Sequence, residues 1–334
     1  MRIAITGGTG FVGRHLAKEL NVGVKESTDP SSDARGVSSS AQHRPTSEMA
    51  SWIPLTILAT AVSIFRSRLA PWQFMWALSL AIFFGCKWET WFRARSTGVR
   101  ASAARSLGYL LLWPGMDAST FLASSKPVAR PQAKNWLAAT AITTLGCGLV
   151  RFAAREASGG GGLVAGWIGM IGLILALHFG AFHLLALAWQ SVGVAAQPLM
   201  TSPLRATSLS EFWGKRWNLG FRQLTHGLVF QPVRKRFGIP AATIAAFFLS
   251  GLVHDLVISF PAGGGYGLPT AYFVLQGFGV LVERSKIAAR LGIGRGFRGW
   301  LFTLFCAGGP VFWLFHPPFV KNVMLPFFAW IGRL

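Results

Sequence analysis

Charge is scarce in this sequence. Asp, Glu, Lys and Arg make up 13% of its 334 residues, against roughly 25% in a soluble domain. With 52% of the chain apolar, that deficit excludes both an ordinary soluble globule and a wholly disordered chain. Cysteine is rare too. Cys86, Cys147 and Cys306 sit in apolar stretches without CxxC spacing, which excludes a disulfide scaffold, a structural zinc site and a dithiol redox motif. Tyrosine numbers 3 beside 14 tryptophans and 27 phenylalanines, so the aromatic content is weighted towards rings without a hydroxyl. No GxSxG elbow sets up a serine nucleophile, and no internal self-similarity marks a repeat architecture.

What is present is basic and apolar. The net charge is +21, and after residue 50 the chain holds 26 basic and 6 acidic residues. Nucleic-acid binding is one reading of such a balance. Here the Lys and Arg lie between apolar runs rather than along one polar face, which is the pattern of membrane loops and not of a nucleic-acid surface.

The first residues read apart from the rest. Ile3–Thr6 predicts a short strand, a glycine turn follows, and an amphipathic helix runs to about Leu20. Gly7, Gly10 and Gly13 give the GxxGxxG spacing, and the stretch resembles the first βα unit of the extended short-chain dehydrogenase/epimerase family. Glycines there let backbone N–H groups approach a pyrophosphate, but a dinucleotide fold needs further strands and an acid about 20 residues on. Residues 23–49 are instead Ser-, Asp- and Pro-rich and read as a disordered linker. Residues 1–22 therefore read as an orphan fragment from a fusion or gene-boundary accident, with no cofactor role. The fragment lacks the apolar core of a signal peptide.

From residue 50 to 334 the sequence predicts an all-α polytopic membrane protein. Apolar runs near 51–66, 71–86, 134–152, 163–193, 240–260, 267–283, 299–316 and 319–332 give about eight transmembrane helices, several shorter than the ~20 residues of a perpendicular crossing. The run at 163–193 is long enough to tilt or bend. Residues 107–122, interrupted by Pro114 and Gly115, suit a re-entrant or interfacial piece. Basic residues concentrate at 87–105, 205–236 and 284–298. Two spans separate each cluster from the next, so all three, and the N-terminus, are expected on the cytoplasmic side. Arg66 and Arg68 are the exception. The expected location is a bacterial inner membrane or the endoplasmic reticulum.

Among the histidines, His254 stands out. It lies in Ala241–Phe260, an otherwise apolar helix, and an ionisable residue inside a membrane marks a functional site. Burial favours the neutral ring that a general base requires. Ser250, four residues back, shares its face, whereas Asp255 points about 100° away. His178 and His183 lie about 140° apart around a helix, which does not suit a shared metal, and read as interior residues. His316, before Pro317-Pro318, reads as a polar cap. The second constellation is Thr207–Asn218. Ser208 or Ser210 can cap a short helix with Glu211 as partner, and Trp213 and Trp217 around Lys215 and Arg216 suit an interfacial element.

Phe212-Trp213-Gly214-Lys215-Arg216-Trp217-Asn218, then Ser250-Gly251-Leu252-Val253-His254, resembles the paired signature of the membrane-bound O-acyltransferases, and within them the wax synthase-like branch. Pro114-Gly115-Met116-Asp117 and His316-Pro317-Pro318-Phe319 resemble that branch's flanking segments. The resemblance spans residues 50–334. Many relatives carry His where this chain has Asn218, though Asn also occurs. No HHxxxDG of the soluble wax ester synthases is present.

The resemblance implies transfer of an acyl group from acyl-CoA, a co-substrate and not a cofactor, to a long-chain alcohol, giving a wax ester. It implies His254 as general base and Asn218 as its partner, with no metal. Lys215, Arg216, Arg222, Arg234, Lys235 and Arg236 are then candidates for the CoA phosphates. The alternatives are a different hydroxyl acceptor, a multi-pass transporter with a His254–Asp255 proton relay, and a nicotinamide-dependent reductase built on the N-terminal glycines. Oligomeric state is left open.

Overall fold

The computed structural model describes residues 50–123 and 128–334. The N-terminal βα fragment and its linker lie outside the described residues. Among those described there is no strand: helix follows helix.

α1 (Ile53–Ile64) and α2 (Pro71–Ser96) form a hairpin closed by a single turn at Arg66–Arg68. A proline opens each helix within its first two positions, where its missing N–H costs nothing. α3 (Ala103–Leu112) and α4 (Ala118–Leu122) flank the break at Pro114 and Gly115. Asp117 caps α4, its carboxylate accepting from Thr120 N–H at 2.9 Å. α5 (Ala133–Ser158) packs along α6 (Leu163–Ser191), whose middle, Ile174–Ala181, is wound as a π-helix. The predicted interruption at Pro114 and Gly115 thus takes a definite form.

Beyond a short α7 (Leu209–Glu211), α8 runs from Leu219 to Ala262. Gly238 breaks it, with φ 81° two residues before Pro240, at the point where the sequence reading begins a span. α9 (Leu268–Glu283), α10 (Lys286–Arg290), α11 (Gly296–Leu314) and α12 (Pro317–Gly332) complete the chain.

Helices stand at each of the eight predicted runs, but they are unequal. Three are long and apolar enough to cross a membrane: α5, α6 and α8. α11 and α12, expected as two spans, make one apolar pair bent by 57° at His316, and α1 and α9 are shorter apolar helices. α2 is long, yet its last three turns carry Lys87, Glu89, Arg93 and Arg95. Among the described residues three to four candidate spans fit a helical membrane protein.

Large apolar side chains stay on the outside, with Leu137, Val164 and Phe305 more than 70% exposed, as expected where the solvent is lipid. Inside, Met75 of α2, Met170 of α6, Ile258 of α8, Phe273 of α9 and Val320, Val323 and Phe328 of α12 form the main core. A second core joins Tyr109, Trp113, Phe121 and Ala186.

Candidate functional site

The Thr207–Asn218 element is built by contacts close in sequence. Ser208 caps α7, its hydroxyl accepting from Glu211 N–H at 3.0 Å. Ser208 rather than Ser210 is thus the cap, and the Glu211 carboxylate reaches back past it to Thr207 N–H at 2.9 Å, one residue before the N–H that a capping box would use. Arg216 bonds the same carboxylate at 2.7 and 2.9 Å. Its other nitrogen donates to the carbonyls of Thr201 and Ser202. Burial works to raise the Glu211 carboxyl, but the bonds from Thr207 and Arg216 outweigh it and hold the group below its ordinary range. Phe212–Arg216 closes as a π-turn, Trp217 N–H donating to Phe212 carbonyl, and the Trp217 ring stacks on Phe212 at 5.6 Å.

Asn218 follows in the left-handed region, φ 43° and ψ 61°, which Asn tolerates better than other non-glycine residues. It caps α8: its Oδ1 accepts from Phe221 N–H at 3.3 Å. The capping bond fixes which end of the amide is oxygen. Its Nδ2 donates to no protein group among the described residues.

His254 ends the regular part of α8. Its Nδ1 donates to the Ser250 carbonyl at 2.6 Å. A carbonyl only accepts, so the proton sits on Nδ1 and Nε2 presents its lone pair. The partner on Ser250 is the carbonyl and not the hydroxyl. The ring packs on Phe273 of α9 at 4.3 Å. Gly251 lets α9 come this close, since a Cβ there would lie 2.6 Å from Thr270 Cα. Asp255, as expected from its angle, does not bond His254. Its carboxylate accepts from Gly267 N–H at 2.8 Å, Thr270 N–H at 3.1 Å and the Thr270 and Ser259 hydroxyls.

α9, which carries no motif residue, joins the two halves. Phe273 touches both His254 and Trp213, the latter at 5.6 Å. Gln276, fully buried, accepts from Trp213 Nε1 at 3.3 Å and donates to the Cys306 carbonyl at 2.7 Å. Glu283, at the far end of α9, accepts from the backbone N–H groups of Leu209 and Ser210. Among the described residues no hydrogen bond links Asn218 to His254; the two motifs meet through Trp213 and α9. None of these α9 residues was singled out from sequence. Gln276 and Glu283 were visible as polar groups in an apolar run; Phe273 gave no such sign.

The flanking segments are attached to different halves. Asp117 accepts from Gln223 of α8 at 3.2 Å, one turn beyond Asn218. Lys87, read from sequence among loop cations, is instead helical and fully buried. It donates to the Gly115 carbonyl at 2.6 Å and lies over the Tyr109 ring. A cleft of about 360 Å³ opens beside this segment, lined by Glu89, Arg93, Asp117 and Gln223. His316 is fully buried and, as predicted, caps a helix, its Nδ1 accepting from Phe319 N–H at 3.2 Å.

Of the six cations proposed for phosphate, Arg216 is committed to Glu211 and two carbonyls. Lys215, Arg222, Arg234, Lys235 and Arg236 are exposed.

The family described as "Membrane bound O-acyl transferase family" matches residues 196–275. That stretch holds both motifs. Over 150 residues the chain is 30% identical to a long-chain-alcohol O-fatty-acyltransferase of Simmondsia chinensis, an alignment covering 41% of this chain and 42% of that protein. It is 32% identical over 152 residues, 41% of this chain and 43% of the relative, to probable long-chain-alcohol O-fatty-acyltransferase 2 of Arabidopsis thaliana. It is 29% identical over 139 residues, covering 37% and 39%, to acyl-CoA–sterol O-acyltransferase 1 of the same plant. The chain thus spans about two-fifths of the length of the curated relatives it matches. The N-terminal resemblance to a dehydrogenase lies outside the matched family region.

Proposed function

We propose that this chain is a membrane-embedded O-acyltransferase, moving a fatty acyl group from acyl-CoA to the hydroxyl of a long-chain alcohol. The observation that carries the reading is the His254 ring: Nδ1 is committed to the Ser250 carbonyl, so Nε2 is the free base. In the proposed step the alcohol O–H gives its proton to Nε2 while its oxygen attacks the thioester carbonyl. The Asn218 Nδ2 group donates to the oxyanion that forms, a contribution of roughly 3–4 kcal/mol where such a donor is well placed. The C–S bond then breaks, the proton passes from His254 to the departing sulfur, and ester and free CoA result. Apolar helices around the ring keep water from the thioester.

The exposed cations Lys215, Arg222, Arg234, Lys235 and Arg236 are assigned to the CoA phosphates, on the cytoplasmic side. Fourteen residues separate Pro240 from His254, about 21 Å of helix at 1.5 Å per residue. A donor with phosphates at one end and a thioester at the other suits that separation. The proton-relay alternative loses support because Asp255 is bound by Ser259, Gly267 and Thr270, not by His254.

Membranes containing the chain, given radiolabelled acyl-CoA and either a fatty alcohol or a sterol, test the reading. Label is expected in the fatty-alcohol ester. Label in the sterol ester alone would keep the enzyme class and change the acceptor, and label in neither would end the proposal.

A further inference from the structure

We propose that His316 and Ser259 position His254, acting through Asp255. This rests on the assignment of His254 as the base. His316 Nδ1 accepts from Phe319 N–H, so the ring proton is on Nε2, which lies 3.1 Å from Ser259 Oγ. Ser259, fully buried, receives that proton's hydrogen bond and gives its own hydroxyl proton to Asp255 at 2.8 Å, the nearer and charged one of its two acceptors, the Gly265 carbonyl lying at 3.2 Å. The result is a directed chain from the bend between α11 and α12 to the residue next to His254.

The chain bears on the ring through geometry. Asp255 opens a π-turn, Asp255–Ser259, in which its carbonyl accepts from Phe260 N–H. π-turns are unfavourable insertions that persist where something holds them, often at functional sites. Here the same Asp255 side chain holds Ser259 within the turn and the Gly267 and Thr270 N–H groups at the start of α9. Thr270 and Phe273 are one turn apart on α9, as Asp255 and His254 are adjacent on α8. The Asp255–Thr270 contact therefore sets where Phe273 lies under the His254 ring. His316 locks the arrangement from the third segment: Gly265, at φ 73°, leaves no room for a Cβ against its imidazole. Neither His316 nor Ser259 touches the His254 ring, so both are positioning residues.

The test is steady-state acyl transfer by the full chain in membranes, per folded protein, for Ser259→Ala, His316→Ala, His316→Gln and the double alanine variant, beside His254→Ala. Ser259→Ala removes one buried oxygen with little change of shape. Both single alanine variants are expected to lower kcat roughly 10- to 100-fold, as ångström-scale misplacement does. KM for acyl-CoA should stay within about twofold of wild type. His316→Gln, whose amide can still donate to Ser259, should recover most of the rate. The double variant should be no slower than the slower single, because one chain is broken once. An unchanged kcat in Ser259→Ala, with His254→Ala inactive, overturns the positioning role alone. So does a loss that only follows the folded fraction. Activity in His254→Ala removes the base assignment, and this inference with it.

Discussion

The two halves of the site are held differently. Asn218 sits at the end of a segment rich in bonds of its own, Thr207, Ser208, Glu211 and Arg216 bonding one another within ten residues, while Thr201, Gln276 and Glu283 tie that segment to the rest of the chain. His254 sits in an apolar helix with one local bond, to Ser250. The rest of its surroundings come from Phe273, Thr270 and, through Ser259, His316, which are 16 to 62 residues away along the chain. Around Thr207–Asn218 many polar groups find partners within the segment, whereas around His254 an apolar helix offers few, and the polar partners come from other helices.

The few acidic residues show the same economy. Six follow residue 50, and five are placed at joints. Glu89 pairs with Arg93, Asp117 with Gln223, Glu211 with Arg216, while Asp255 and Glu283 hold backbone N–H groups of neighbouring elements. In a chain with so large a basic surplus, a carboxylate is the scarce hydrogen-bond acceptor.

Perturbing each half separately sharpens the contrast. The largest effect is expected from His254→Gln, which keeps hydrogen-bonding groups but cannot take the proton. Ester formation per folded protein should fall roughly 10²–10⁴-fold, and retention of more than a tenth of the rate would make His254 structural. Asn218→Gly comes next. Glycine accepts the left-handed backbone and costs the cap only a few tenths of a kcal/mol, so the fold should survive. The rate should drop roughly 10²–10³-fold if Nδ2 serves the oxyanion, and a rate near wild type would confine Asn218 to capping.

Smaller changes are expected at the surface. Replacing Arg234, Lys235 and Arg236 together by Gln should raise KM for acyl-CoA severalfold and leave kcat nearly unchanged, the pattern of lost uniform binding. An unaltered KM would remove these cations from the donor site. The smallest effect concerns Glu211. Its carboxyl is depressed in the folded chain, so its stabilisation is fully present above the unfolded value of about 4.3 and is lost as pH falls through the lower folded value. Thermal unfolding of Glu211→Gln should therefore differ from wild type at neutral pH and converge with it in acid. A difference that persists in acid would assign the effect to packing.

The Thr207–Asn218 half was legible in the sequence as far as its local contacts go, and its ties to Gln276 and Glu283 were not. Ser208 and Glu211 three residues apart announce a helix cap, and Asn218 closes the same run. His254 was legible as a polar group in an apolar helix. Residues 87–105, by contrast, read as a loop of cations, and Lys87 proved to be a buried helical residue under the Pro114–Asp117 turn. Counting apolar runs gives two spans at 299–332, and the structure joins α11 and α12 there through a bend of 57°. Composition measures how much of a chain prefers lipid, but not the angle at which two apolar helices meet.

The sequence by itself determined the class of solvent, the helical architecture and the two motifs, since these rest on hydropathy and on contacts a few residues long. Only the tertiary structure decided that α9 joins the motifs, that Asp255 finds its partners in Gly267 and Thr270 at the start of α9, and that Nε2 of His254 is the free nitrogen. The last requires the Ser250 carbonyl to lie within 2.6 Å of Nδ1, and the first two require partners on other helices. No spacing along the chain encodes those contacts, because they exist only after α8, α9 and the α11–α12 bend have packed.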